Sequence, residues 1–286
     1  MTACSSETPS FDDHRTVKTV CKSMAEAANS ILNNSYALIE LKDDATTSAI
    51  HQAWQEALHF FKTAEDGPAN FPALTVIEDG HLLGFNKPSP AKILFRSFSK
   101  RSRQPWPSSS FMEKSLTVAA NLHDILTNIL RIIVADAESS SDSTTPRKRK
   151  IKDDLFEIQM NECPLDYFYY HNRQPNAINC SEHIDRGVLI CVCLTQVSGL
   201  ELLPTHGTNF ICPESQLEKK NSHDKTSGAS TKFICVMAGD SLKSYNRRAR
   251  PCLHRVKNDL TEPRLSISYE LRQKQATSKE KDIKIT

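Results

Sequence analysis

The chain has no run approaching the ~20 apolar residues that a bilayer-spanning helix requires. Its first ten residues, Met1 to Ser10, are mostly polar and carry no apolar signal core. Neither a membrane-spanning nor a secreted protein is expected. An excess of one charge is also missing. Lys and Arg number 36 against 34 Asp and Glu, a formal net charge of +2. A strongly basic nucleic-acid binder would carry more, so nucleic acid is not an expected partner. Nine cysteines include no CxxC pair, which argues against a thiolate zinc site. Several sit inside apolar runs such as Leu189-Ile190-Cys191-Val192-Cys193-Leu194, where they read as small buried hydrophobes of a reducing compartment. Glycine is scarce, with eight in the chain, and five of these fall between Gly187 and Gly239.

What is present is ordinary for a globular protein: 38% apolar and 24% charged residues over a length of 286. That length suits one large domain, or a core domain with an added N-terminal layer. Residues 1–137 read as that layer, helical and mixed. Val17, Val20, Met24, Ala27 and Ile31 recur at helical spacing, and Tyr36 to Leu41 reads as a short strand. Ile50, Trp54, Ala57, Leu58 and Phe61 mark a second amphipathic helix. Phe85 to Pro107 reads as loop with short structure, and a long helix is expected over roughly Met112 to Ala137.

Residues 138–152 form a polar connection, and its basic run Arg147–Lys150 reads as solvated loop in preference to a nuclear import signal. A cytoplasmic location is expected, with a nuclear one as the alternative. From 153 to 272 the pattern turns to β, ahead of a polar tail at 273–286. Strands are expected at Leu165–Tyr170, Val188–Leu194, Leu200–Leu203, Asn209–Cys212, Phe233–Val236, Ser241–Tyr245, His254–Lys257 and Leu265–Leu271. Many short strands with regular breaks imply a sandwich or barrel. Glu214 to Thr231 reads as a loop insertion.

Within the β region one segment carries chemistry: Glu182-His183-Ile184-Asp185-Arg186-Gly187. In extended structure residues i and i+2 share a face, so His183 and Asp185 project together. His254, in a later strand, supplies a third donor. Two imidazoles and one carboxylate form the facial triad of non-haem Fe(II) oxygenases. Ten residues on, Arg264 and Ser266 again share a face. Arg264 offers a planar fork for a carboxylate, and Ser266 adds a hydroxyl. The remaining histidines read as structural or exposed. The cluster Arg247, Arg248 and Arg250 reads as a solvated turn.

With Tyr169-Tyr170, His183-x-Asp185, Gly199-Leu200-Glu201-Leu202-Leu203, Gly239-Asp240, Leu253-His254-Arg255-Val256 and Arg264-Leu265-Ser266-Ile267 in this order, the chain resembles the isopenicillin-N-synthase-like 2-oxoglutarate/Fe(II) dioxygenases. The resemblance is clear over Leu155 to Leu271 and fainter over Ser30 to Ala137. It implies a mainly β fold with flanking helices: a double-stranded β-helix, or jelly-roll, behind an N-terminal α/β layer. It implies metal ligands His183, Asp185 and His254. Arg264 and Ser266 would bind the distal carboxylate of 2-oxoglutarate, and Tyr170 would support it. Where the family usually has Asn before the tyrosine pair, this chain has Phe168. The activity implied is oxidation, by default hydroxylation, of a small molecule, using Fe(II), O2 and 2-oxoglutarate and releasing succinate and CO2, with ascorbate a candidate auxiliary. An iron oxidase of the same fold that dispenses with 2-oxoglutarate, and a non-catalytic jelly-roll binding protein, are the alternatives.

Overall fold

The computed structural model describes residues 20–65, 75–78, 80–139, 158–174, 176–218, 232–258 and 262–273. The basic run Arg147–Lys150, the polar tail from 274 and most of the 214–231 insertion lie outside them. Three long helices come first: α1 (Met24–Asn34), α2 (Asp44–Glu65) and α3 (Ser109–Ser139). Each begins where a short polar side chain satisfies the unpaired amides of its first turn. Ser23 Oγ accepts from Glu26 N, Asp43 accepts from the amides of Ala45 and Thr46, and Ser108 Oγ accepts from Phe111 N. α1 stops at Ser35, whose φ of 71° lies in the left-handed region and whose amide closes on Ile31 O. The chain then turns directly into β1 (Tyr36–Glu40).

The remaining strands are β2 (Thr75–Glu78), β3 (His81–Ser89), β4 (Lys92–Ser97), β5 (Leu165–Tyr170), β6 (Ile178–His183), β7 (Leu189–Cys193), β8 (Leu200–Leu203), β9 (Phe233–Ala238), β10 (Leu253–Lys257) and β11 (Arg264–Leu271). They form two sheets whose strand pairs are all antiparallel. The major sheet runs β1-β9-β7-β11-β5-β4-β3-β2, and the minor sheet β6-β10-β8. Strands from the first 137 residues thus flank both edges of the major sheet.

Every strand of the major sheet's centre has two buried faces. Ala37, Ile39, Leu189, Cys191, Cys193, Ile234 and Val236 face the helices, in one core with Ile31, Phe61, Leu122, Leu126 and Ile129. Tyr36, Leu38, Ile190, Val192, Cys235 and Met237 face the other way, packing with Leu200, Leu202 and Cys252 of the opposing side. Burial on both sides is why these strands read as unbroken apolar runs. The buried cysteines follow suit: burial raises the thiol pKa of Cys191 and Cys235 well above the ordinary value.

Four expectations change. Phe85 to Pro107 contains most of the β3–β4 hairpin instead of loop. Asn209–Cys212 shrinks to one bridge, Leu202 with Ile211. Ser241–Tyr245 is not a strand. Asp240–Ser244 is a 3₁₀ turn, because Leu242 and Tyr245, three apart, both point inward. The insertion opens with a short helix, α4 (Pro213–Glu218). Among the described helices α3 is, by length and composition, apolar enough to cross a membrane. Its apolar stripe is instead occupied against α1, α2, β7 and β11.

Candidate metal centre

Sandwiched between the two sheets is a cavity of about 350 Å³. The minor sheet contributes His183, from the end of β6, and His254, from the start of β10. These two residues are register partners on neighbouring strands. Their ring centroids lie 4.2 Å apart. Asp185 is not on the strand with His183, as expected from its spacing, but two residues past it, and its carboxylate turns back to both imidazoles. His183 Nε2 lies 3.6 Å from Asp185 Oδ1, and His254 Nε2 lies 3.4 Å from Asp185 Oδ2. Ile184 between them is exposed at 41%.

The imidazoles are oriented from behind. His183 Nδ1 donates to Ser181 O at 2.7 Å, and His254 Nδ1 donates to Cys252 O at 3.2 Å. A protonated Nδ1 leaves the Nε2 lone pair free for a cation, which is how ligating histidines are usually fixed. One donor atom from each residue lies within 4.8 Å of the others. Adjacent donors around an octahedral ion with bonds of ~2.1 Å stand about 3 Å apart. The two histidine–aspartate separations exceed that by a few tenths of an ångström, and two imidazoles with one carboxylate are a donor set that fits a divalent ion. The proton affinities of the two rings are driven apart. Cys180, together with the Ser181 carbonyl and Asp185, holds His183 up, to about 9, while burial holds His254 down.

The major sheet supplies the facing wall. Along β5 and β11 the even residues turn to the cavity: Asp166, Phe168 and Tyr170, and opposite them Arg264, Ser266, Ser268 and Glu270. Of the carboxylate-binding candidates, Arg264, Ser266 and Tyr170 thus share one cavity face. Arg264 is not free, however. Its Nε donates to Val197 O at 3.1 Å and its Nη2 to Glu214 Oε1 at 2.8 Å, and Glu214 is itself only 2% exposed. The sequence reading missed Glu214, which it left in a polar loop. Cys212-Pro213-Glu214 does carry a helix-starting proline, the one local sign of structure there. Gly199 is required beside this arginine: a Cβ there would stand 3.1 Å from Arg264 Cδ and 2.8 Å from Lys257 O. Burial pushes the Tyr170 hydroxyl above its usual range.

At the other end of the wall the charges come in pairs. Arg96, the register partner of Asp166, donates to it through Nε at 2.7 Å and Nη2 at 2.6 Å. Arg272 pairs with Glu270, whose carboxyl is raised by burial. Arg247, Arg248 and Arg250 do not reach the cavity. Arg248 pairs with Asp136 of α3 at 3.0 Å, in keeping with a solvated turn.

Two sheets closing on a polar cavity, with the major one backed by helices, define the double-stranded β-helix, or jelly-roll. No protein-family model matches the chain, and no curated protein matches it. Solved structures do. The chain is similar to the dioxygenase for auxin oxidation 1 of Arabidopsis thaliana in complex with 2-oxoglutarate, at a TM-score of 0.66 and 15% identity over 89% of each chain. It is similar to a full-length Neurospora crassa protein in complex with alpha-KG and 5-formyluracil, at a TM-score of 0.63 and 14% identity over 90% of this chain and 84% of that one. A Shewanella oneidensis structure designated an oxygenase matches at a TM-score of 0.64 and 14% identity over 93% and 94%. At such identities the likeness establishes the shared fold.

Proposed function

We propose that the chain is an Fe(II)- and 2-oxoglutarate-dependent oxygenase of the isopenicillin-N-synthase-like kind that hydroxylates a small molecule. The observation that carries this reading is the convergence of His183 Nε2, the Asp185 carboxylate and His254 Nε2 on one cavity. Two imidazoles and a carboxylate are the donor set that non-haem iron oxygenases use, and a face-on triad leaves further positions for exchangeable ligands. When bound, iron and 2-oxoglutarate supply O2 activation coupled to decarboxylation, with succinate and CO2 released.

The chain's own part is placement and exclusion. Ser181 O and Cys252 O fix the imidazole tautomers. Tyr170, Arg264 and Ser266 form the polar floor on which a dicarboxylate would rest its far end. Ile190, Val192, Leu200, Met237 and Val256 line the same space with apolar surface and keep bulk water off the reacting end. The cavity volume suits a small substrate better than a folded protein or a duplex. Thymine and 5-formyluracil are bound in structures of the Neurospora protein, which favours a small molecule here too.

The test is succinate release from 2-oxoglutarate by purified protein with added Fe(II). Release is expected in the wild type and absent in His183→Ala; unchanged release in that variant removes the assignment. One observation favours a second reading. Arg264 already holds a carboxylate, Glu214, as expected of an iron oxidase that takes no 2-oxoacid. Substrate-driven oxygen consumption that is indifferent to 2-oxoglutarate would select it.

A further inference from the structure

Lys92, Tyr170 and Arg264 are register partners across β4, β5 and β11, so one row carries a cation on either side of a tyrosine. Two strand spacings set their Cα atoms about 10 Å apart. The two cations are not equivalent. Arg264 and Glu214 have side chains 2% and 1% exposed and 2.8 Å apart, so together they present no net charge to the cavity. Lys92 lines the same cavity and has no carboxylate within ion-pair distance among the described residues. Its ammonium stands 5.4 Å from the centre of the Phe168 ring and 3.8 Å from Cys180 Sγ. Phe168, the departure from the family's Asn, thus positions this lysine through its ring face.

The charges around the cavity leave room for one further cation. A divalent ion and Asp185 sum to +1, and the Arg264–Glu214, Arg96–Asp166 and Arg272–Glu270 pairs each sum to zero. Arg186 also lines the space but is exposed to solvent. A dianionic ligand would leave the site at −1, and excess charge in a dry cavity is costly. The Lys92 ammonium brings the sum to zero.

Resting on the 2-oxoglutarate reading above, we propose that Lys92 supplies the positive charge that holds the distal carboxylate of the cosubstrate, while Glu214 keeps Arg264 as a neutral hydrogen-bonding wall. The site then takes a dicarboxylate through a lysine on β4, a strand outside the segment that carries the metal and Arg264 motifs.

The test is calorimetric titration of the full chain, loaded with Mn(II), using 2-oxoglutarate and 2-oxobutyrate. The second ligand has the same keto-acid end and no distal carboxylate. The wild type is expected to prefer 2-oxoglutarate. Lys92→Met should weaken 2-oxoglutarate about 10- to 100-fold, the worth of a charge-assisted contact, and leave 2-oxobutyrate within about twofold. Lys92→Arg should restore most of the loss. Glu214→Gln, which frees the charge of Arg264, should tighten 2-oxoglutarate about 10-fold. A Lys92→Met protein that retains its Mn(II) affinity and the wild-type preference overturns the role of the lysine. An unchanged 2-oxoglutarate affinity in Glu214→Gln overturns the neutral wall and gives a reading independent of the lysine variants. If the wild type does not bind 2-oxoglutarate, the cosubstrate reading falls and the lysine proposal with it; if it binds 2-oxoglutarate and Lys92→Met leaves that affinity unchanged, the lysine proposal falls alone.

Discussion

The two faces of β5 and β11 have opposite character, although they belong to the same strands in alternation. On one face stand Leu165, Tyr167, Tyr169, Leu265, Ile267, Tyr269 and Leu271, packed beneath the helices. On the other stand Asp166, Phe168, Tyr170, Arg264, Ser266, Ser268 and Glu270, along the cavity. Both faces are largely buried. Burial alone therefore does not separate stability from chemistry here; the period of two does. Odd positions in β5 and β11 hold the sheet to its helices, and even positions give the cavity its polar wall.

Substitutions that respect this parity should separate the two roles. The largest effect is expected on the odd face. Tyr167 is fully buried, hydrogen-bonded to Ser115 Oγ at 2.8 Å, and its ring lies 5.1 Å from that of Phe111. Tyr167→Ala should cost about 3–5 kcal/mol of unfolding free energy in a urea titration, as large-to-small aromatic substitutions do. Next is the facing sheet. Asp185→Asn should lower Mn(II) affinity roughly 100-fold while shifting metal-free stability by less than about 1 kcal/mol, since a half-exposed loop carboxylate supports no core. A large loss of stability there would mean that the cavity side also holds the fold together. Smaller again, Ser266→Ala should weaken 2-oxoglutarate a few-fold and change the unfolding midpoint little, in contrast to its neighbour Ile267.

The smallest effect is a pH slope. His123 Nδ1 lies 3.0 Å from the Tyr269 hydroxyl, and burial holds the imidazole below its ordinary pKa. The unfolded chain then binds the proton more readily, so this residue's stability contribution is present above about pH 6.5 and lost as pH falls below it. His123→Gln should flatten part of the drop in stability between about pH 7.5 and about pH 5.5, measured by urea titration. An unchanged slope would show that the odd face is indifferent to this histidine's charge.

Much of this was legible in the sequence, for physical reasons that can be named. Apolar and aromatic runs marked β5, β7, β8 and β11, because those strands are largely buried. His183, Asp185 and His254 were recognisable because ligand chemistry restricts residue type. Their geometry was less so: Asp185 reaches the imidazoles from beyond the strand, a turn that no spacing rule encodes. The β3–β4 hairpin escaped notice because Asn86 and Ser89 sit at a register shift, so the alternation breaks there. Ser241–Tyr245 misled because a 3₁₀ turn with Leu242 and Tyr245 inward imitates a short strand pattern. Glu214 and Lys92 were invisible as partners of the site. A buried ion pair and a row across three strands are products of topology, and neither leaves a local trace.

The direct pairing of His183 with His254 in the minor sheet has one more consequence. The ladder that joins β6 to β10 also sets the gap between the two rings. Sliding β10 by one residue would swing His254 to the opposite side and present its neighbour instead. A chelated ion would act as a latch on strand alignment: the chain must choose its register before it can clasp the ion, and having clasped it can no longer slide.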